Sequence, residues 1–271
     1  MADSVAMLAG SVAALWRRAY RRVVRTAFDT VPFYRERWAL DGRTDPTVVP
    51  GRTGSDDGAT EPRDLRRAVV DLVPLAGGDT RVDAARGLGH VLDSARRPLP
   101  GTLVVVVDAA VSPPSPPPSD LPRGLRGCTV DPERLGADPD TGVGAELAAA
   151  LHGGRPVLAV GGDKDLARLC AALPGSPVHG IARLPRRALS EVDAGPYGVL
   201  HDPLLGYVGA FRECGRWHLD WRRVYARRTR RGLALTLLTQ RSPMLVDVLV
   251  EGGVRGAVEP CPRHGTPVVS L

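Results

Sequence analysis

Two short steps in the last third of the chain carry residue types that bind metals. "CGRWH" sets Cys214 four residues before His218, and "CPRH" sets Cys261 three residues before His264. Zinc takes four sulfur or nitrogen ligands in a tetrahedron, and close pairs on two adjacent turns are a usual way to supply them. Four such ligands would fill the shell, so the ion would be structural and would tie the last strand to its sheet. The same residues also suit a plainer arrangement, with Cys214 a small buried side chain and His264 a turn residue.

The stretch "GVLHDPLLGY" (198–207) offers acid–base chemistry. His201 titrates near neutrality in its unperturbed state and stands beside Asp202, a pairing suited to proton transfer. The alternative is a strand-end histidine and an aspartate that starts the turn before Pro203. "AVGGDKD" (159–165) follows a strand pattern and opens a helix, with Lys164 near the helix start. It has neither Walker spacing nor G-x-G-x-x-G, so a tight βα turn is the favoured reading over a phosphate site. Cys128 and Cys170 have no histidine nearby in sequence and are not proposed as nucleophiles.

These residues need elements to hold them. Residues 4–28 show helical periodicity, with Leu8, Val12, Leu15, Ala19, Val23 and Ala27 on one stripe. Arg17, Arg18, Arg21, Arg22 and Arg25 fall mostly elsewhere, which predicts a surface helix lying on a domain. "GRTGSDDGATEP" (51–62) is a loop by composition, and "PRDLRRAVVDLVP" after it is a short helix or turn. "GTLVVVVDAA" (101–110) is the β-branched run of a fully buried strand. In "VSPPSPPPSDLP" (111–122) the prolines exclude helix and central strand, leaving an extended surface linker. A helix over 142–154, a strand over 155–163 and a helix over 164–173 then alternate, which implies an α/β fold with parallel strands. From Tyr207 onward short strand-like runs predict an antiparallel, partly barrel-like sheet.

The 271 residues, 43% of them hydrophobic, suffice for one large domain or two small ones with a real core. The net charge of +6 comes almost wholly from arginine, since Lys164 is the one lysine, and acidic residues are interspersed. That pattern argues against a nucleic-acid-binding face. The opening apolar stretch has Asp3 before it, no basic lead and too little length to span a bilayer. No membrane association is expected, and the four cysteines are assigned to a reducing cytoplasm.

Both ends of the chain resemble the phenylacetate-CoA ligase branch of the adenylate-forming enzymes. "FDTVPFYRERWA" (28–39) is similar to that branch's "PFYRERF" element, which also follows an amphipathic helix. "PYGVLHDPLLGYVGAFRECGRWHLDW" (196–221) occupies the place of its Tyr-Gly-x-Ser/Thr-Glu motif followed by Glu-Cys and Leu-His. "GLALTLLTQRSPMLVDVLVEGG" (232–253) resembles "GELVLTTLTREAMPLIRYRTGD", and "EPCPRHGTPVVSL" (259–271) resembles the Cys-Pro-Cys-Gly-Arg knuckle before the hinge. The middle matches only as an α/β pattern. The resemblance implies a single domain over 1–271, like the large N-terminal domain of such ligases with its layered α/β sheets. Its expected parts are an α/β portion to residue 110, the linker at 111–122, a second α/β portion over 123–206 and a β-rich portion over 207–271. It also favours the metal reading, since some relatives carry a Cys/His cluster at these places.

Where the chain departs from the pattern, the implied activity changes. "LAGGDTR" (75–81) is the candidate phosphate loop and lacks the family's Ser/Thr-Gly-Thr-Thr-Gly character. Tyr197 and Gly198 remain, but Leu200 and His201 stand where Ser/Thr and the magnesium-binding Glu would be. Val246 aligns with the family's Arg, and Glu251 at best with its ribose-binding Asp. The sequence stops at the hinge, so the lid domain and its catalytic lysine are expected to be missing. Neither ATP nor Mg2+ is therefore expected, and the chain should not be a self-sufficient ATP-dependent ligase. The resemblance sets His201 and Asp202 where the active site faces its substrate, with Tyr197, Tyr207 and Arg212, and also Trp217, as lining for an aryl or acyl pocket. The expectation is an enzyme of specialised, natural-product metabolism that binds an aryl or acyl intermediate and catalyses an ATP-independent acyl transfer, condensation or cyclisation. The other readings are a non-catalytic partner or scaffold of a biosynthetic enzyme and one half of a split ligase; the expected partners are a small aryl or acyl substrate and either a biosynthetic enzyme or a second copy of the chain.

Overall fold

The computed structural model describes residues 2–40, 59–95, 98–109, 118, 120–137, 142–173, 180–195 and 197–270. Most of the proline-rich run (111–117 and 119) and the first part of the 51–62 loop (51–58) lie outside the described residues.

Helix α1 (Ala2–Thr30) continues through a one-residue break into α2 (Pro32–Leu40). The buried face of α1 is Val12, Trp16, Tyr20, Val23, Val24 and Ala27. The expected stripe is therefore rotated, and Leu8 and Leu15 stay 49% and 57% exposed. The cause is the hydrogen-bonding aromatics. Trp16 Nε1 donates to Val224 O at 2.8 Å and Tyr20 Oη to Asp247 Oδ2 at 2.7 Å, so a face with polar handles wins over a purely aliphatic one. In α2, Tyr34 and Trp38 are fully buried. Tyr34 Oη donates to Met244 O at 3.0 Å and accepts from Val246 N at 2.8 Å, which pins the otherwise irregular 244–246 segment.

Short α3 (Pro62–Arg67), a 3-10 turn (Val69–Leu72) and α4 (Leu88–Ala95) lead into the sheet. Strands β1 (Leu103–Val107), β2 (Arg126–Val130), β3 (Val157–Gly161), β4 (Ile181–Arg187) and β5 (Val199–Asp202) are parallel, with α5 (Pro132–Ala137), α6 (Gly142–His152) and α7 (Asp163–Ala171) between them. Every residue of β1 is buried, because its two faces meet two cores. Leu103, Val105 and Val107 pack with Leu147, Leu166 and Leu169, while Val104 and Val106 pack with Leu88, Val91 and Tyr207. An unbroken valine run is what a doubly covered parallel strand requires.

Strands β6 (Gly206–Arg212), β7 (Arg216–Leu219), β11 (Ala257–Pro260) and β12 (Pro267–Ser270) extend the same sheet antiparallel, giving the order β11-β12-β7-β6-β5-β4-β3-β1-β2. Strands β8 (Val224–Thr229), β9 (Gly232–Leu237) and β10 (Val248–Leu249) form a second sheet, over which α1 and α2 pack. The β-rich C-terminal part is thus present, but its strands divide between two open sheets instead of one barrel-like sheet. The run 244–253 contributes only the two residues of β10, since Asp247 adopts left-handed φ of 50° and breaks the extended chain. That conformation costs a non-glycine residue about 1 kcal/mol. It is held by Arg227, whose Nε and Nη2 donate to the two Asp247 oxygens at 2.9 and 2.8 Å, and by Thr236 Oγ1, which accepts from Asp247 N at 2.8 Å.

Candidate functional site

The two Cys/His steps meet. Cys214 sits in the β6–β7 hairpin turn, where Gly215 takes φ of 76°, and His218 lies on β7. Cys261 follows β11, and His264 lies in the turn that returns the chain to β12. Gly265 N donates to Cys261 O at 2.7 Å and Cys261 N to Thr266 O at 2.8 Å, closing that turn. Pairing of β12 with β7 sets Val268 opposite His218 and so stacks one hairpin end beside the other.

All four ligand atoms fall within 4.8 Å of one another. Cys214 Sγ stands 3.0 Å from His218 Nε2, Cys261 Sγ 3.5 Å from His264 Nδ1, and the two sulfurs 3.9 Å apart. A tetrahedron with metal–ligand bonds of about 2.0–2.3 Å has edges of about 3.3–3.8 Å, so this cage fits a metal ion with small adjustments. His218 Nδ1 is paired with Thr266 Oγ1 at 2.9 Å, an outer partner that leaves Nε2 for the metal. Burial, followed by the nearby Arg212 guanidinium, pushes the His218 pKa down to about 4 and lowers that of His264. Both imidazoles are then neutral, the form that ligates. The Cys214 thiol is pushed up, chiefly by burial, so metal binding must displace its proton.

A second constellation lies at the carboxyl ends of the parallel strands. The partial order β2-β1-β3-β4-β5 sends the chain to opposite sides of β1, and the crevice at such a switch point is where α/β sheets take ligands. A cavity of about 180 Å³ opens there. Asp108 at the end of β1, Thr129 on β2, Arg186 on β4 and Tyr207 on β6 line it, under a roof formed by residues 81–85. Arg186 Nη1 donates to Asp108 Oδ2 at 2.9 Å, and Nη2 lies 3.9 Å from Asp165 Oδ2. Tyr207, fully buried beside this guanidinium, has its phenol pKa pushed up to about 12 by burial.

His201 supports the roof. Its Nε2 lies 2.9 Å from Ala84 O, and since a carbonyl only accepts, that nitrogen carries the proton. Its ring packs 4.8 Å from Tyr207, edge-on. Burial first, then Arg186, pushes its pKa down to about 4, so it is neutral at pH 7. Tyr207 N donates to Arg86 O at 2.8 Å, a second tie on the same segment. Gly206, with φ of 77°, makes that approach possible, since a Cβ there would lie 2.4 Å from Arg86 O. Asp202 Oδ1 accepts from Leu204 N at 2.8 Å and Leu205 N at 3.0 Å, closing the turn after β5.

The expected aryl-pocket residues do not share one cavity. Tyr207 lines the strand-end cavity, Arg212 lines a larger one beside the Cys/His cluster, and Tyr197 is 42% exposed. Trp217 is buried, with Nε1 donating to Val192 O at 3.0 Å. Arg186 and Asp108 escaped sequence reasoning. Asp108 follows the valine run directly, but "ARLPRRAL" (182–189) hides β4, because Pro185 breaks the β-branched signal. The candidate phosphate loop is exposed and leans on Ser242, whose Oγ donates to Asp79 O at 2.6 Å.

The sequence matches no family model and no curated protein. Among solved structures, 2-hydroxyisobutyryl-CoA ligase in complex with 2-HIB-AMP and CoA, in its thioesterification state, aligns with 100% of this chain and 67% of its own, at TM-score 0.54 and 15% identity. Its fold is that of the acyl-CoA ligases. The same ligase in its postadenylation state with 2-HIB-AMP gives TM-score 0.52 and 15% identity over 94% of this chain and 65% of its own. An open conformation with 2-HIB-AMP and CoA gives 0.50 and 16% over 93% and 71%. The adenylate-forming resemblance is thus present in three dimensions at the level of fold. Among the described residues of this ligase fold, no helix is long and apolar enough to cross a membrane.

Proposed function

We propose that this chain keeps the ligase fold as a binding site for a small aryl or acyl intermediate, and serves an ATP-independent step on it. The observation that carries the reading is the strand-end cavity, at about 180 Å³ well below the roughly 300–1,000 Å³ of pockets that enclose nucleotide- or drug-sized ligands. The exposed, hydroxyl-poor loop over 75–81, leaning on Ser242, adds support. In this reading Arg186 and Tyr207 meet the carboxylate or carbonyl oxygen of the ligand. A fixed guanidinium and phenol polarise a carbonyl, which is what acyl transfer or condensation asks of a site without ATP. His201 is a positioning residue that holds the roof through Ala84, since a group titrating at about 4 is a weak base at pH 7.

The Cys/His cage holds a structural zinc in the same proposal. Two thiolates and two imidazoles suit zinc best, and the filled shell leaves no site for catalysis.

Calorimetry with benzoate, phenylacetate and ATP tests the ligand reading. One of the carboxylates is expected to bind and to lose its affinity in Arg186→Ala. Binding of ATP with neither carboxylate bound would overturn it.

A further inference from the structure

A cavity of about 690 Å³ lies away from the strand ends, between the first turns of α1, the end of α4 and the Cys/His hairpins. Its charged groups are of both signs, and one of them, Asp220, is paired with Arg223 Nη1 at 3.5 Å. Arg212 and Arg222 line it as cations, Asp93 and Glu213 as anions, and none of the four forms an ion pair within the described residues. Arg212 Nε is buried without a hydrogen-bond partner. A buried unpaired donor is costly, but it is the guanidinium as a whole that lines the cavity, and charge-assisted pairing of arginine with a carboxylate is strong.

The cavity also has an apolar wall. Leu8, which the rotated face of α1 leaves 49% exposed, meets Val12, Leu219 and Trp221 there, and Arg222 lies 5.5 Å over the Trp221 ring. Cations and anions that line one cavity without pairing suit a molecule that carries both charges. A volume within the usual range for small ligands and a wall with an indole face add a side chain to that description.

We infer that this cavity is a second ligand site, for a free α-amino acid with an apolar or aromatic side chain. Its carboxylate pairs with Arg212 and Arg222, its ammonium with Asp93 and Glu213, and its side chain lies on Trp221. The site shares no lining residue with the strand-end cavity.

Titration calorimetry on the full chain, with L-phenylalanine, L-phenylalanine amide and N-acetyl-L-phenylalanine, tests this. The zwitterion is expected to bind, and loss of either charge to weaken it roughly tenfold or more. Asp93→Asn and Arg222→Ala, both on exposed side chains, should weaken it similarly at unchanged melting temperature, while Arg186→Ala leaves it intact. Equal binding of the amide or the N-acetyl compound, no binding of L-phenylalanine at millimolar concentration, or loss in Arg186→Ala alone would each overturn the inference. The last outcome would place the amino acid in the strand-end cavity and leave the reading of that cavity standing.

Discussion

Cys214 Sγ and Cys261 Sγ lie 3.9 Å apart although 47 residues separate them in the chain. The separation is bridged by β12, which returns after the Cys261 turn to pair with β7, so closing the cage and completing the edge of the sheet are one event. Purified protein is expected to carry one zinc per chain. Cys261→Ser should lower the melting temperature, and strong chelator should lower it in the wild type but not in the variant. Metal-free protein whose melting temperature ignores chelator would contradict this.

Asp247 is the buried counter-ion of Arg227 and the acceptor for Tyr20, at 2% exposure. Asp247→Ala takes the carboxylate away from the buried Arg227 guanidinium and should destabilise by about 3–5 kcal/mol in urea unfolding. The double variant with Arg227→Met should recover part of that loss. Additive losses in the double variant would show that the two side chains are not coupled.

Acid should loosen the roof of the strand-end cavity. His201 takes a proton in the unfolded chain below pH 6.5, but in the folded protein only near 4, so its contribution is fully present above 6.5 and declines as pH falls through that window. Between pH 7 and pH 5 the loss from this group is about 1–2 kcal/mol. His201→Gln keeps a hydrogen bond to Ala84 available and should flatten the pH dependence of the melting temperature. An unchanged slope in that variant would assign the acid sensitivity to other groups.

The sequence already shows much of this architecture, because β1 and β3 are unbroken apolar runs covered on both faces, and α6 and α7 each bury one face. The Cys/His convergence was also legible, since each pair is local and the pairs fall on neighbouring hairpins. What escaped reading depends on contacts distant in sequence. The buried face of α1 follows Trp16 and Tyr20, whose acceptors Val224 and Asp247 lie about two hundred residues away. Arg186 meets Asp108 only because β1 and β4 flank β3 in one sheet, an order that periodicity does not reveal. The run around Asp247 looks like strand in sequence and is bent by a buried salt bridge. For the same reason Tyr197, Tyr207 and Arg212 fall in three different surroundings.

Pyrophosphate exchange into ATP tests the central claim most directly, with the full chain supplied with Mg2+ and a panel of aryl and short acyl carboxylates. The account predicts no exchange above background with any of them, while at least one carboxylate binds with an affinity that Arg186→Ala abolishes. Robust exchange with any member of the panel would contradict it, and would show that the loop over 75–81 and the strand-end cavity still serve adenylation.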